Sequence, residues 1–211
     1  MKTVTVKGIG KISRRPDEAT LNLTVEAAEK TYAGASAAAD KRTGALKTAL
    51  ASAGFAADLL RTSSYSVDAA YENVRGSDGV CERRQVGYRC THRLTLTFPL
   101  SRERLAAALN AAADSGACSE CTVRFSLSDG EEAVREALAS ACRDAAERAG
   151  TIARACGAAL GSITEVVQDS ARRPLQSDTV FRPQLMRAAA ADITPDDVRT
   201  EESVTITWEL L

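Results

Sequence analysis

Two cysteines, Cys118 and Cys121, are the residues of this chain whose type and spacing are best suited to chemistry. Two residues between thiols allow a short disulfide or two ligands on one metal ion. In disulfide oxidoreductases such a pair opens a helix whose N-terminus lowers a thiol pKa, but here it precedes residues 122–127, which are predicted to form a strand. Redox chemistry, metal binding and loop thiols without a chemical role therefore all stay open.

A zinc site would need two further ligands, and the sequence offers only Cys81 or Cys90 together with His92. These residues lack the spacing of a known zinc module. His92 is the single histidine, and it shares its parity with the apolar residues of a predicted strand. We therefore expect a hydrogen-bonded histidine at the margin of the core, with a catalytic role as the alternative.

The other motifs with a chemical meaning have structural explanations. Cys142 and Cys156 lie fourteen residues apart on one predicted helix, so they cannot bridge each other and are expected to be small buried residues. Gly8-Ile-Gly10 lacks the third glycine and the helix of a dinucleotide-binding loop, which favours a bulge or a close backbone approach. No Gly-x-Ser-x-Gly occurs. The sequence therefore predicts no enzymatic activity and no cofactor.

Composition indicates a folded protein without a nucleic-acid or membrane partner. The chain has 211 residues, of which 45% are hydrophobic and 26% charged, as is ordinary for a globular domain. Its 27 Lys+Arg are interspersed with 28 Asp+Glu, so the basic patch of a nucleic-acid binder is missing. No apolar run approaches the ~20 residues of a membrane span, and Met1 leads almost directly into a strand. We therefore expect a cytoplasmic protein with mostly reduced thiols.

Three helices are predicted from apolar residues that recur at three- and four-residue steps. They span residues 31–53, closed by Gly54, residues 102–113 after the N-cap Ser101, and residues 131–156. The third helix is long and rich in alanine, and small residues dominate its inward stripe, which permits close approach to a sheet. The predicted stripe consists of Val134, Leu138, Ala141, Ala145, Ala149, Ile152 and Cys156.

About seven strands are predicted from alternating apolar residues. Two flank a corner at Pro16 and Asp17, two form a long hairpin that ends near residue 100, and three more follow at 122–127, 162–168 and 204–210. Hairpins with helices between them predict an α+β fold with a mostly antiparallel sheet. Residues 170–197 form a polar segment longer than a compact-domain loop, which we interpret as an extended arm.

A series of short motifs runs nearly the length of the chain. They are Gly8-Ile-Gly10, Arg15-Pro16-Asp17-Glu-Ala, Arg61-Thr-Ser-Ser-Tyr65-Ser-Val67, Val86-Gly87-Tyr88-Arg89, the Ala-rich helix from Glu131, and Glu202-Ser-Val-Thr-Ile-Thr-Trp208. Their order and spacing resemble the SIMPL domain, a family of largely unknown biochemical function whose bacterial members are described as oxidative-stress defence proteins. The resemblance implies one domain over residues 1–211, which could divide into sub-lobes 1–100 and 101–211. It also implies ring-like homo-oligomers.

The residues and the resemblance together predict a non-enzymatic protein that works by homo-oligomeric assembly, with a stress-defence role implied by the resemblance alone. The arm supplies the predicted subunit contacts, which are Leu175, Val180, Phe181, Leu185 and Met186. The alternative is a thiol-based redox or metal-binding protein that uses Cys118 and Cys121. Many relatives are exported behind a signal peptide, so the expected cytoplasmic location departs from theirs.

Overall fold

The computed structural model describes residues 2–75, 81–169, 177–181 and 194–211. In chain order its elements are β1 (Thr3–Arg14), β2 (Glu18–Glu29), α1 (Tyr32–Ser52), β3 (Leu60–Arg75), β4 (Cys81–Pro99), α2 (Arg102–Asp114), β5 (Cys118–Ser126), α3 (Gly130–Ala155), β6 (Leu160–Asp169), β7 (Ser177–Phe181) and β8 (Val198–Leu210). A short 3₁₀ turn, Ala57–Leu59, precedes β3. The α+β class is confirmed. The described residues contain eight strands rather than about seven, because β7 falls within residues 170–197.

The strands divide between two sheets, whereas the sequence predicts one. One sheet has three strands in the order β1-β8-β6, and the other has five in the order β3-β4-β2-β5-β7. The pairings of β1 and β6 with β8 are antiparallel, and so are those of β2 and β3 with β4. The predicted preference for antiparallel pairing is therefore confirmed.

The chain forms two compact units, each assembled from separate segments. The first comprises Met1–Pro16, Ser126–Ser177 and Pro195–Leu211, which hold the three-stranded sheet and α3. The second comprises Asp17–Phe125 and Asp178–Thr194, which hold α1, α2 and the strands β2 to β5. The predicted single domain with its sub-lobes stays a prediction.

In the first unit α3 packs against β1 and β8. Alternation along these strands turns one set of side chains toward the helix, namely Val4, Val6, Val204, Ile206 and Trp208. The helix meets them with alanine at every fourth position: Ala133, Ala137, Ala141, Ala145, Ala149 and Ala153. All six alanines are buried, so the predicted stripe is correct at its centre.

The predicted stripe of α3 is wrong toward its ends. Ile152 and Cys156 are exposed, while Val134 and Leu138 are half-buried. Residues four apart on a helix lie in a row inclined by about 26° to the helix axis. Because α3 meets the sheet along such a row, the alanine at each fourth position is buried, and the larger aliphatic residues lie beside the contact.

The glycines of β1 explain why the contact row is alanine. A Cβ atom at Gly8 would lie 2.6 Å from the Ala145 backbone nitrogen, and one at Gly10 would lie 2.6 Å from that of Ala141. Both distances are shorter than real Cβ contacts, so the helix backbone rests directly on the strand. The register of β1 against β8 has no shift. The close-approach interpretation of Gly8-Ile-Gly10 is therefore confirmed, and the bulge interpretation is wrong.

In the second unit α1 and α2 pack against the five-stranded sheet. The inward residues of β2 are all buried, namely Ala19, Leu21, Leu23, Val25 and Ala27. Thr31 caps α1 by accepting from the Gly34 backbone nitrogen, and Gly54 follows the helix with φ of 86°. Ser101 caps α2 by accepting from the backbone nitrogen of Arg104. The predicted starts of both helices are therefore confirmed.

Candidate functional site

Cys118 and Cys121 lie within β5 rather than in a loop before it. Both side chains are buried and neither forms a disulfide. Burial raises the pKa of the Cys118 thiol to about 12. Burial also raises the pKa of Cys121, and the neighbouring Cys118 and Glu120 raise it further. A thiol must lose its proton to act as a nucleophile or metal ligand, so these surroundings disfavour both kinds of chemistry near neutral pH.

The residues considered as further zinc ligands differ in their surroundings. Cys81 is exposed, whereas Cys90 and His92 are buried. Within the part of the chain that the structure describes, no three His, Cys, Asp or Glu residues are grouped so that they could hold a metal ion. The described residues thus offer no ready-made ligand set around Cys118 and Cys121.

The cysteines of the long helix also differ from each other. Cys142 is half-buried and packs against the apolar cluster between α3 and the sheet. Cys156 is exposed at the C-cap position of α3, so its predicted burial is wrong. The helix ends at this position, and the last buried alanine of the contact row is Ala153.

His92 is hydrogen-bonded at the margin of the core, as predicted. Its Nδ1 lies 3.1 Å from the Thr43 hydroxyl of α1, and its Nε2 lies 2.9 Å from the Thr62 hydroxyl of β3. Burial lowers the pKa of His92, the charge of Lys47 lowers it further, and the charge of Asp40 opposes both. Because a hydroxyl can donate or accept, the neutral ring is satisfied on both sides. This arrangement is that of a structural histidine, which connects α1 to the terminal strand β3.

The phenol of Tyr65 extends this network toward the surface. Its ring meets the His92 ring edge-on at 5.0 Å between centroids. Its hydroxyl lies 2.6 Å from the Ser36 hydroxyl of α1. A hydrogen bond with the Cys90 thiol is the main cause that raises the pKa of Tyr65. Strand β3 is thus connected to α1 directly through Tyr65 and, by way of His92 of β4, through Thr62.

The outer edge of β1 is occupied by side chains from α3. Asp144 accepts a hydrogen bond of 2.9 Å from the Ile9 backbone nitrogen, and Arg148 donates one of 3.4 Å to the Lys7 carbonyl oxygen. The Arg148 side chain is itself bonded to Asp144 at 3.0 Å. These two side chains use backbone groups that a neighbouring strand would otherwise need. The edge of β1 is therefore protected against strand addition at this position.

At the opposite end of the same sheet, β6 is a terminal strand that none of the other described strands pairs with on its outer side. Strand β6 pairs with β8, and its apolar side chains are exposed: Ile163 at 57%, Val166 at 56% and Val167 at 45%. Ile163 and Val166 stand opposite Trp208 and Ile206, which places them on the α3 side of the sheet. Val167 stands opposite Thr205, on the other face. A terminal strand with exposed apolar residues on both faces is a typical association surface.

The predicted arm contacts fall largely outside the described residues. Leu175, Leu185 and Met186 lie outside them. Val180 and Phe181 belong to β7, whose backbone pairs at the end of the five-stranded sheet beside β5. Their role as subunit contacts stays a prediction.

Sequence reasoning missed the open edge of β6. The strand itself is predicted, but alternation alone does not say which faces are covered. Adjacent Val166 and Val167 are a usable signal, because two consecutive apolar residues in a strand point to opposite faces. The cover over the β1 edge is not predictable in this way, since Asp144 and Arg148 read simply as an i, i+4 ion pair on a helix surface.

These features define an α+β protein with two antiparallel sheets and a glycine–alanine contact between strand and helix. The SIMPL family model, described as a protein of unknown function (DUF541), matches residues 4–208. The chain therefore belongs to the SIMPL family. No curated protein matches the chain. Among the described residues, no helix is long and apolar enough to cross a membrane.

Proposed function

We propose that this SIMPL-domain protein is not an enzyme and works by assembling into a homo-oligomer. The observation that carries the proposal is β6, a terminal strand whose Ile163, Val166 and Val167 are about half exposed. A second copy that pairs with this edge would satisfy its open backbone groups. It would also remove apolar side chains on both faces from water, at roughly 25 cal/mol for each Å² of apolar area.

The two ends of the three-stranded sheet have different roles in this proposal. Asp144 and Arg148 already use backbone groups of β1, so that end is closed. Strand β6 has no such cover among the described residues, and its exposed valines and isoleucine favour contact. Assembly through one edge only gives a defined interface rather than open-ended stacking of sheets.

The arm contributes further contacts in this proposal. Leu175, Val180, Phe181, Leu185 and Met186 are large apolar residues in a segment that also contains many polar and charged residues. Apolar residues spaced along a polar segment are suited to a neighbouring subunit. Deleting residues 173–188 should lower the native mass, and an unchanged mass would exclude the arm as an interface.

The stress-defence role is proposed from the resemblance to other SIMPL proteins. In an assembling protein, such a role would depend on the oligomer rather than on a reactive side chain. The burial of Cys118 and Cys121 supports this choice over the thiol-based alternative, because burial disfavours the thiolate at both positions.

The sharpest test of the β6 interface compares two exposed apolar residues of the same unit. Val166→Lys places a charge on the open edge, whereas Ile152→Lys places it on α3, where the side chain is 42% exposed. We expect Val166→Lys to give a smaller native mass by size exclusion with light scattering, and Ile152→Lys to keep the native mass of the unmodified chain. Equal masses for all three proteins would exclude the β6 edge.

A further inference from the structure

The β3–β4 hairpin has an edge that the proposed assembly does not use. Strand β3 is the terminal strand of the five-stranded sheet and pairs only with β4 among the described residues. Its residues 61–66 are all exposed, so none of the described residues covers this edge. Open backbone groups along a terminal strand can accept an additional extended strand.

One face of β3 beside this edge is aromatic and apolar. Tyr65, Val67 and Ala69 alternate along the strand and therefore share a face, and Tyr71 follows them beyond a register shift after Ala70. Tyr65 is 43% exposed and Tyr71 is 47% exposed. Exposed tyrosines offer a large contact area at low conformational cost, which is typical of recognition surfaces.

The opposite face of β3 is polar and charged. Ser64, Ser66 and Asp68 alternate with the tyrosine row, and Arg93 and Arg89 stand opposite Ser64 and Asp68 on β4. Arg61 lies on the same face, opposite Thr95. Both arginines are exposed, and neither has an ion pair in the described residues. Because serine is short, both guanidiniums can reach over the serines to a side chain at the edge.

The charge of the β3–β4 hairpin favours an acidic partner. Residues 60–99 contain six arginines and four carboxylates, whereas the whole chain has a formal net charge of −1. The hairpin therefore has two more positive than negative side chains, in a protein that is slightly acidic as a whole. The guanidiniums of Arg61 and Arg93 complement carboxylates, to which arginine can donate two parallel hydrogen bonds.

We propose that the outer edge of β3, from Arg61 to Tyr71, binds an extended peptide segment whose side chains alternate between apolar and acidic. The backbone of the segment pairs with β3 as an additional strand. Its apolar side chains contact Tyr65 and Tyr71, and its acidic side chains reach Arg61 and Arg93. Successive side chains of a strand point to opposite faces, so the alternation of the ligand follows from the two faces of β3.

The edge is held ready for this partner by the network around His92. Thr62 is bonded to the His92 ring, and the hydroxyl of Tyr65 lies 2.6 Å from that of Ser36. Both contacts lie within the proposed binding stretch. A preorganised edge loses less conformational entropy when it binds.

The test uses the full chain and a fluorescein-labelled, acetylated octapeptide of alternating valine and glutamate. We expect saturable binding by fluorescence anisotropy that weakens as salt is added. A peptide of alternating valine and lysine should not bind. An N-methylated version of the valine–glutamate peptide should bind at least about tenfold more weakly, because it cannot complete the strand pairing.

Matched variants separate the proposed contacts from general charge. Arg61→Ala with Arg93→Ala should weaken binding by at least about tenfold, since two charge-assisted bonds are lost. Arg102→Ala with Arg154→Ala removes the same charge outside the hairpin and should leave binding unchanged. Equal effects of the two pairs, or equal binding of the lysine peptide, would overturn the proposal. A lower native mass of the Arg61/Arg93 variant would overturn the peptide proposal, because it would assign the β3 edge to a second copy of the chain. A lower native mass of Val166→Lys alone would support assembly through β6 and leave the β3 edge free for a peptide.

Discussion

Gly10 of β1 lies so close to α3 that a Cβ atom there would come within 2.6 Å of the Ala141 backbone nitrogen. Because of this contact, the strand requires glycine at this position and the helix requires alanine along the row that faces it. Alanine keeps the helix backbone near the strand, and glycine leaves room for it. This pair therefore determines how the first unit packs.

Gly10→Ala should lower the free energy of unfolding by about 2 kcal/mol, because an added methyl group meets backbone atoms that cannot move aside locally. Urea denaturation measures the change. Gly150→Ala is the matched control, since a Cβ at that position of α3 meets nothing within 4 Å. The control should raise stability by about 0.5–1 kcal/mol. Similar effects of both substitutions would contradict the close contact.

The single histidine should make stability depend on pH. Burial lowers the pKa of His92 in the folded chain below the value of about 6.5 expected when the chain is unfolded. The unfolded chain therefore takes up a proton that the folded chain resists, and the free energy of unfolding falls as pH drops below about 6.5. Denaturation at pH 7.5 and 5.5 should show the loss, and His92→Gln should reduce it. An NMR titration that places the pKa at or above 6.5 would exclude this cause.

Burial of Cys118 and Cys121 should make both thiols unreactive in the folded protein. A thiol reagent at neutral pH should label the exposed Cys81 and Cys156 first. Labelling of Cys118 and Cys121 should follow the rate of unfolding, which mass spectrometry of digested samples can measure. Labelling or peroxide oxidation of either buried thiol as fast as that of Cys156 would restore the thiol-based alternative.

Asp144→Ala should open the protected edge of β1. The Ile9 backbone nitrogen loses its acceptor, so we expect stability to fall by about 1–2 kcal/mol. Association of copies should also increase with concentration, as light scattering can follow. Glu147→Ala removes a neighbouring exposed carboxylate and should change neither quantity. Unaltered stability in Asp144→Ala would show that the edge is not held by this side chain.

The sequence predicts the fold class and helix positions because capping and periodicity are local. Ser101 and Gly54 are examples, since each acts within one turn of its helix. The division into two sheets is not predictable from alternation, because pairing such as β1 with β8 joins the two ends of the chain. The sequence pattern places Ile152 in the buried row of α3 because isoleucine is more hydrophobic than alanine, whereas contact with the glycines of β1 requires the smaller residue.

The candidate surfaces depend even more on tertiary structure. Cys118 and Cys121 stand out by spacing, yet their burial in β5 is visible only in the fold. Val166 and Tyr65 look like ordinary strand residues, and their exposure is visible only in the fold, where β6 and β3 are terminal strands of their sheets. Sequence patterns identify the strands, and the fold determines which of their edges are open.

The native mass of the full chain, measured by size exclusion with light scattering with and without reductant, shows whether the protein assembles. We expect a homo-oligomer whose mass is the same in both conditions, because assembly uses the β6 edge rather than thiols. A monomer at all concentrations, or a mass that falls when reductant is added, would contradict it.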